Sequence, residues 1–320
     1  MWLNLLLVFL GLALIVGGAD FLTDGASSLA SRFKIPQLVI GLTIVAFGTS
    51  APELAVSVVG SLEGNGGIAV GNVIGSNIAN ILLILGVCAV ITPVPVHPNS
   101  VRFDIPIAIL ASVVLLILLS DVPLDGIESS VTRVEGLILV LFGILFLLYT
   151  IYSGRKGRGE EEEVPTQQVH WGISTLKVLG GLIALVYGGN LFVNNASAIA
   201  ADMGVSDTLI GLTLVSWGTS LPELATSVVA ALKKNTGIAV GNVVGSNVFN
   251  VFFVLGIAGV VNPLRELSFT VLDIWMQLFA IVLAFGFALF WGKYEIKRAE
   301  GLIMVLVFVA YNTYLIINAI

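Results

Sequence analysis

The chain has 320 residues, of which 57% are hydrophobic and only 11% charged, with a mean hydropathy of +1.05. Soluble domains carry about a quarter charged residues, so a water-soluble globular fold is excluded and a membrane protein is implied. The formal net charge of −6 includes four adjacent acids at 160–163, and no basic surface suited to nucleic acid is present.

The first apolar run starts at Trp2 with no basic segment before it. It reads as a first transmembrane helix and not as a cleaved signal. A span needs about 20 apolar residues. On that measure the chain predicts helices at 2–28, 36–62, 66–92, 103–120 and 132–152. A polar stretch at 153–170, with Arg155, Lys156, Arg158 and Glu160–Glu163, breaks the pattern. We read it as a short solvated linker in preference to a cation sensor. Five further helices are predicted at 171–198, 207–232, 236–261, 267–291 and 297–318. The expected fold is an all-α polytopic membrane protein of ten transmembrane helices, in two five-helix repeats at 1–152 and 171–320.

Smaller features have simple readings. Asp20 and Asp24 put a polar end on the first helix, and Asn190, Asn194 and Asn195 do so on the sixth. Cys88 is the only cysteine, which excludes an intrachain disulfide and a cysteine metal cluster; in an apolar run it reads as a small buried hydrophobe. His97 and His170 fall in connecting regions and read as solvated; Asp104 and Asp273, near helix starts, read as interfacial.

Orientation follows from the basic residues. With the N-terminus outside, Arg32, Lys34, Arg102, Arg155, Lys156, Arg158, Lys177, Lys233, Lys234, Lys293, Lys297 and Arg298 lie near the cytoplasm, and only Arg133 and Arg265 lie outside. The expected location is the cell membrane, both termini outside and the linker cytoplasmic. Five is an odd number, so two homologous five-helix halves must insert from opposite sides. That is the inverted-repeat plan of secondary transporters, whose site lies at the repeat interface near the midplane.

The repeat is explicit. Gly41-Leu-Thr-Ile-Val-Ala-Phe-Gly-Thr-Ser-Ala-Pro-Glu53 and Gly71-Asn-Val-Ile-Gly-Ser-Asn-Ile-Ala-Asn80 recur 170 residues later. The second copies are Gly211-Leu-Thr-Leu-Val-Ser-Trp-Gly-Thr-Ser-Leu-Pro-Glu223 and Gly241-Asn-Val-Val-Gly-Ser-Asn-Val-Phe-Asn250. The last two helices of each half match weakly, through Arg133-Val-Glu-Gly and Arg298-Ala-Glu-Gly, and read as scaffold.

Polar groups inside apolar helices are costly and need a reason. Pro52 has no N–H and its ring crowds the carbonyl of Gly48, so the helix should kink or open there. Thr49 and Ser50 share a helix face with Glu53, and Thr219, Ser220, Pro222 and Glu223 repeat the pattern. Ser76 with Asn80, and Ser246 with Asn250, add a hydroxyl and an amide oxygen at a spacing of four. Gly71, Gly75, Gly241 and Gly245 are small residues that would let helices approach closely. Thr43, Thr213, Ser57 and Ser227 also repeat, with packing and ion-path roles both open. The ligand set is all oxygen, which suits a hard cation such as Ca²⁺ and not zinc or copper. Two ionised carboxylates match one divalent ion; alone in a low dielectric they would repel and take up protons. The empty site should therefore not cross, whereas a site loaded with Ca²⁺ or several Na⁺ can.

These motifs resemble the α-repeats of the calcium/cation antiporter superfamily, nearest to the prokaryotic sodium/calcium exchangers. The resemblance implies Glu53 and Glu223 as shared Ca²⁺/Na⁺ ligands. It implies Thr49, Ser50, Ser76 and Asn80 beside Glu53, and Thr219, Ser220, Ser246 and Asn250 beside Glu223. The carbonyls of Ala46 and Ser216 would serve the Na⁺ sites, and the first and sixth helices would slide against the rest. The implied activity is exchange of several Na⁺ for one Ca²⁺, with no enzymatic step and no cofactor; the partners are the ions and the bilayer, and a monomer is the expected unit. Asn250 stands where some relatives have Asp, which argues against K⁺ co-transport. Val73 and Val243 follow Gly-Asn where proton-exchanging relatives carry Glu, which favours Na⁺ over H⁺ as counter-ion. A Ca²⁺/H⁺ antiporter is the alternative, and a cation channel a further one.

Overall fold

The computed structural model describes residues 2–96, 103–119, 130–156, 170–204, 216–265, 271–291 and 294–319. The readings of His97, Arg102, Arg158, Glu160–Glu163, Thr213 and Lys293, and the 207–215 stretch of the seventh helix, lie outside those residues. The first half supplies helices α1 (Trp2–Phe33), α2 (Gln37–Thr49), α3 (Ala51–Leu62), α4 (Gly66–Ile91), α5 (Ile105–Leu118) and α6 (Arg133–Lys156). The second supplies α7 (Trp171–Asp202), the short α8 (Ser216–Gly218), α9 (Leu221–Leu232), α10 (Thr236–Val261), α11 (Val271–Gly286) and α12 (Arg298–Ala319). The strands among the described residues are β1 (Val94–Pro95) and β2 (Glu295–Ile296), an antiparallel pair. The chain is thus an all-α polytopic membrane protein. Seven described helices are long and apolar enough to cross a bilayer, and the bent α2–α3 pair makes an eighth.

Helices α1 and α7 run antiparallel along most of their length, and glycines set the contact. A Cβ at Gly18 would sit 2.9 Å from the Gly181 carbonyl oxygen, and one at Gly181 would sit 2.7 Å from the Gly18 carbonyl oxygen. Gly11 and Gly188 face each other in the same way, and Gly25 lies on the Ser174 carbonyl. Both helices are longer than the sequence pattern indicates, reaching Phe33 and Asp202 instead of 28 and 198. The polar end of α1 stays helical because it is held. Lys233 Nζ lies 2.6 Å from Asp20 Oδ1 and 2.6 Å from Asp24 Oδ1, and Lys177 Nζ lies 3.5 Å from Asp24 Oδ2. These groups are partly exposed, so each pair contributes about 1 kcal/mol or less; their main effect is to fix register.

The two halves are interlocked through α6 and α12. Gly136, at the start of α6, packs on Gly256 of α10, and Gly301, at the start of α12, packs on Gly86 of α4. Val131 bridges Leu264, just as β1 after α4 pairs with β2 before α12. Helix α6 therefore leans on α10, and α12 leans on α4. Their weak sequence match hides a matched role, carried by the Arg-x-Glu-Gly segments. Glu135 Oε2 accepts from the Thr132 N–H and hydroxyl, both at 2.7 Å, which caps α6; the Lys297 N–H bonds Glu300 in the same place on α12.

At the centre lie α4 and α10, whose apolar windows are 72% and 89% buried. Each contains a π-helical segment, Ala79–Leu85 and Asn250–Leu255, that begins at or beside the Asn of its motif. A third covers Gly41–Val45 in α2. Such segments are uncommon and gather at functional sites. Gly241 and Gly245 of α10 seat directly on α2: their Cβ positions would fall 2.5 Å from the Leu38 carbonyl oxygen and 2.8 Å from Ala46 Cβ. Gly71 and Gly75 have no described atom within 4 Å of their Cβ positions, so among the described residues it is the second copy whose small-residue pair meets a partner. Cys88 is fully buried among apolar side chains, as its apolar run implies.

Candidate functional site

The helix break expected at the first proline is present and lies two residues before it. Helices α2 and α3 meet at Ser50 with a bend of 45°, and Pro52 occupies the first turn of α3, where its missing N–H leaves no bond unmade. In the second copy Ser220 stands between α8 and α9, with Pro222 in the first turn of α9. The proline is thus a helix start and not a mid-helix kink. The consequence is electrostatic. Glu53 and Glu223 both fall in the first turn of a new helix, where the backbone dipole favours negative charge.

Both carboxylates are only 1% exposed. Each is bonded by the serine three residues before the other, which draws the two into one cluster. The hydroxyls around them cross between the copies. Ser50 Oγ donates to Glu223 Oε1 at 2.8 Å and contacts Ser246 Oγ at 3.0 Å. Ser220 Oγ donates to Glu53 Oε1 at 3.3 Å and contacts Ser76 Oγ at 3.3 Å. Ser76 Oγ reaches Glu53 Oε1 at 3.4 Å. Thr219 serves Glu53, and Thr49 and Ser246 serve Glu223. This corrects the grouping by repeat. Thr49 and Ser50 stand beside Glu223, and Thr219 and Ser220 beside Glu53, because each break inserts into the opposite half. Only Ser76 and Ser246 keep to their own copy's glutamate.

Asn80 and Asn250 are each 1% exposed. Neither amide atom of Asn80 has a hydrogen-bond partner, and Asn250 Oδ1 has none. Glu53 Oε2 and Glu223 Oε2 are likewise without one. Buried oxygens that lack donors are costly in a packed protein. Here four belong to the two equivalent pairs Glu53/Glu223 and Asn80/Asn250, and all four can accept a hard cation. Ala46 is buried, and its carbonyl accepts from the Ser50 N–H at 3.1 Å and, at 3.4 Å, from the Thr49 hydroxyl. Ser216 opens α8, so its backbone stands at a helix start. A cluster of three or more His, Cys, Asp or Glu is absent among the described residues, consistent with a site of two carboxylates completed by neutral oxygens.

The other repeated polar residues separate cleanly. Thr43 donates to the Val39 carbonyl one turn back, at 2.6 Å, which is helix-local. Ser57 and Ser227 accept from Asn72 and Asn242, both at 2.9 Å, and so support the site from behind. Asp104 is buried at the start of α5, and Asp273 accepts from the Tyr311 hydroxyl at 2.6 Å, tying α11 to α12. His170 is exposed and accepts from the Gly172 N–H at the start of α7.

Four asparagines do work that residue-by-residue reading missed. Asn72 Nδ2 donates to the Glu53 carbonyl at 3.0 Å, and Asn242 Nδ2 to the Glu223 carbonyl at 3.3 Å. Asn242 Oδ1 also accepts from Thr49 Oγ1 at 3.0 Å. Asn77 and Asn247 exchange amide-to-carbonyl bonds across the two halves, at 3.4 and 3.2 Å. The available signal was their identity in both copies at the same offset. Asn242→Ala removes three buried hydrogen bonds at once, each worth about 1 kcal/mol. The expected result is a rise of roughly tenfold in half-saturating Ca²⁺, read from initial rates of ⁴⁵Ca²⁺ uptake.

Comparisons with known proteins place the chain in a family and a fold. The family model described as "Sodium/calcium exchanger protein" matches residues 3–152 and 173–317. The putative antiporter CaxA of Alkalimonas amylolytica is 36% identical over 321 residues, covering 98% of each chain. The sodium/calcium exchanger MaX1 of Methanosarcina acetivorans is 32% identical, covering 96% of this chain and 97% of its own. Among solved structures, the sodium-calcium exchanger NCX_Mj soaked with 2.5 mM Na⁺ and 0.1 mM Ca²⁺ superposes with a TM-score of 0.83. It is 31% identical, over 96% of this chain and 97% of that one.

Proposed function

Because the chain belongs to the sodium/calcium exchanger protein family, we propose that it exchanges Na⁺ for Ca²⁺ across the membrane by alternating access. The observation that carries this reading is the pair Glu53 and Glu223. Each is 1% exposed, each has an unpartnered Oε2, and each is bonded by a serine from the other half. Two such carboxylates cannot stand charged and bare in a low dielectric. Ca²⁺ binds between them, with Thr49, Ser50, Ser76, Asn80, Thr219, Ser220, Ser246 and Asn250 completing the oxygen set. Na⁺ ions use the same oxygens, with the carbonyls of Ala46 and Ser216 added. Ca²⁺ and Na⁺ are substrates, and a single chain is the working unit.

The architecture behind the site is ten spans in two inverted repeats, 1–152 and 171–320, with 153–170 as linker. The antiparallel α1–α7 contact and the exchanged fifth helices support it, since both are reciprocal between equivalent segments. Both termini lie outside and the linker in the cytoplasm. The Asp20–Asp24–Lys177–Lys233 cluster supports this topology, because it gathers the late turns of α1, the start of α7 and the end of α9 at one level. A cysteine introduced at Glu161, in a chain whose Cys88 is buried, tests it: labelling by an impermeant maleimide from the outside of intact cells would contradict the topology.

Gating comes from the α1–α7 pair moving over the two breaks. Leu182 of α7 fills the space beside Gly48, and Val193 of α7 fills that beside Gly218. The test is reconstitution in vesicles with Na⁺, K⁺ and pH gradients imposed one at a time. An outward-directed Na⁺ gradient should drive ⁴⁵Ca²⁺ uptake without K⁺. Uptake driven by a pH gradient alone would select Ca²⁺/H⁺ exchange, and flux with no counter-ion would select a channel.

A further inference from the structure

We propose that Asn77 is a positioning residue that sets the orientation of the Asn250 amide and so presents its oxygen to the transported cation. The inference rests on the reading of Asn250 as a ligand. Asn250 Nδ2 donates to Asn77 Oδ1 at 3.1 Å. Asn77 is itself held from a second side: its Nδ2 donates to the Asn247 carbonyl at 3.4 Å, and its own carbonyl accepts from Asn247 Nδ2 at 3.2 Å. All three residues are at least nine-tenths buried, so water does not compete for these bonds.

The two ends of the Asn77 amide are therefore both committed. Turning it over would set Nδ2 against the Asn250 Nδ2 and Oδ1 against the Asn247 carbonyl, a donor–donor and an acceptor–acceptor contact in a dry interior. A fixed acceptor at Asn77 demands a donor from Asn250. Asn250 has only one way to supply it, which leaves its Oδ1 buried and without a hydrogen-bond partner. An amide oxygen in that condition is a strong cation ligand. The same logic makes position 250 selective for an amide: a carboxylate there would set oxygen against Asn77 Oδ1 unless it kept a proton.

The relation is specific to one copy. Asn247 is the equivalent of Asn77 and Asn80 of Asn250, yet Asn247 Oδ1 and both amide atoms of Asn80 have no hydrogen-bond partner. Of the two equivalent clasps, the structure closes the one on Asn250. Asn77 bonds Asn247 and Asn250 and acts through Asn250, so its effect should vanish when Asn250 has no amide to orient.

The test is a double-mutant cycle on the full chain in proteoliposomes, with half-saturating Ca²⁺ and maximal rate measured separately. Asn77→Ala is expected to raise half-saturating Ca²⁺ about tenfold, the scale of one buried hydrogen bond, with a much smaller change in maximal rate. On an Asn250→Ala background the same change should move it by less than about twofold. Asn77→Thr, which fills more of the space but does not reach Asn250, should reproduce the shift and serves if the alanine variant does not fold. If Asn250→Ala alone leaves half-saturating Ca²⁺ unchanged, the ligand reading beneath this inference falls. If Asn250→Ala shifts it but Asn77→Ala does not, or the two effects add in full, Asn77 is a packing residue and this inference alone is overturned.

Discussion

Glu53→Gln and Glu223→Gln should each reduce Na⁺-driven Ca²⁺ uptake by about 100-fold or more, while the protein still folds and inserts. Glutamine keeps the shape and one carbonyl oxygen but removes a full charge. A site built for a divalent ion then carries half its charge, with the cation still stripped of water. Breaking a buried charge pair by removing one partner costs about 3–5 kcal/mol, well over two decades in affinity. Folding should survive because two buried carboxylates with no cation between them cannot both stay ionised, so neutralising one removes no favourable interaction. The two variants should be nearly equal, since each glutamate holds the same place at the start of its helix. Uptake in proteoliposomes and the thermal unfolding midpoint of the purified protein check both halves of the expectation. Uptake within a few-fold of the parent in either variant would defeat the assignment.

Gly241→Val should separate α10 from α2 and spoil the cage without touching a ligand. Even the Cβ of alanine would meet the Leu38 carbonyl oxygen at 2.5 Å and the Leu42 nitrogen at 2.8 Å. These are backbone atoms and cannot rotate away. Overpacking of this kind costs about 1–3 kcal/mol for a methylene and more for a branched side chain. The displaced surface carries Thr49–Asn242 and Ser50–Ser246, both 3.0 Å contacts, so the hydroxyls serving Glu223 would be drawn off. We expect roughly tenfold or greater loss of Ca²⁺ affinity together with a lowered unfolding midpoint. Gly180→Ala is the control. Gly180 is exposed on α7 with no described atom within 4 Å of its Cβ position, and the change should be near neutral. Equal behaviour of the two variants would show that close approach at Gly241 does not matter.

How far these features were legible in the chain depends on which distances set them. The helix break near Pro52 and the apolar runs that form the seven long described helices are local, and the pattern gives them directly. What stayed hidden depends on the other half. Ser50 and Glu53 share a helix face on paper, but the chain breaks at Ser50 and its hydroxyl turns to Glu223. Asn72 and Asn242 read as mere polar residues until the glutamate carbonyls they bond are seen. The π segments at Ala79 and Asn250 leave no mark, because helices that are apolar on nearly every side show no register to violate. Asp20 and Asp24 read only as a polar helix end, since the lysine that holds them lies more than 200 residues away in sequence.

The account depends most on one divalent ion sitting between Glu53 and Glu223. Anomalous diffraction from crystals of the protein soaked in Sr²⁺ or Ca²⁺ tests this most directly. We expect a single strong peak within bonding distance of both carboxylates, weakened as Na⁺ in the soak is raised. A divalent peak bound elsewhere, or one on these carboxylates that Na⁺ leaves unchanged, would contradict it.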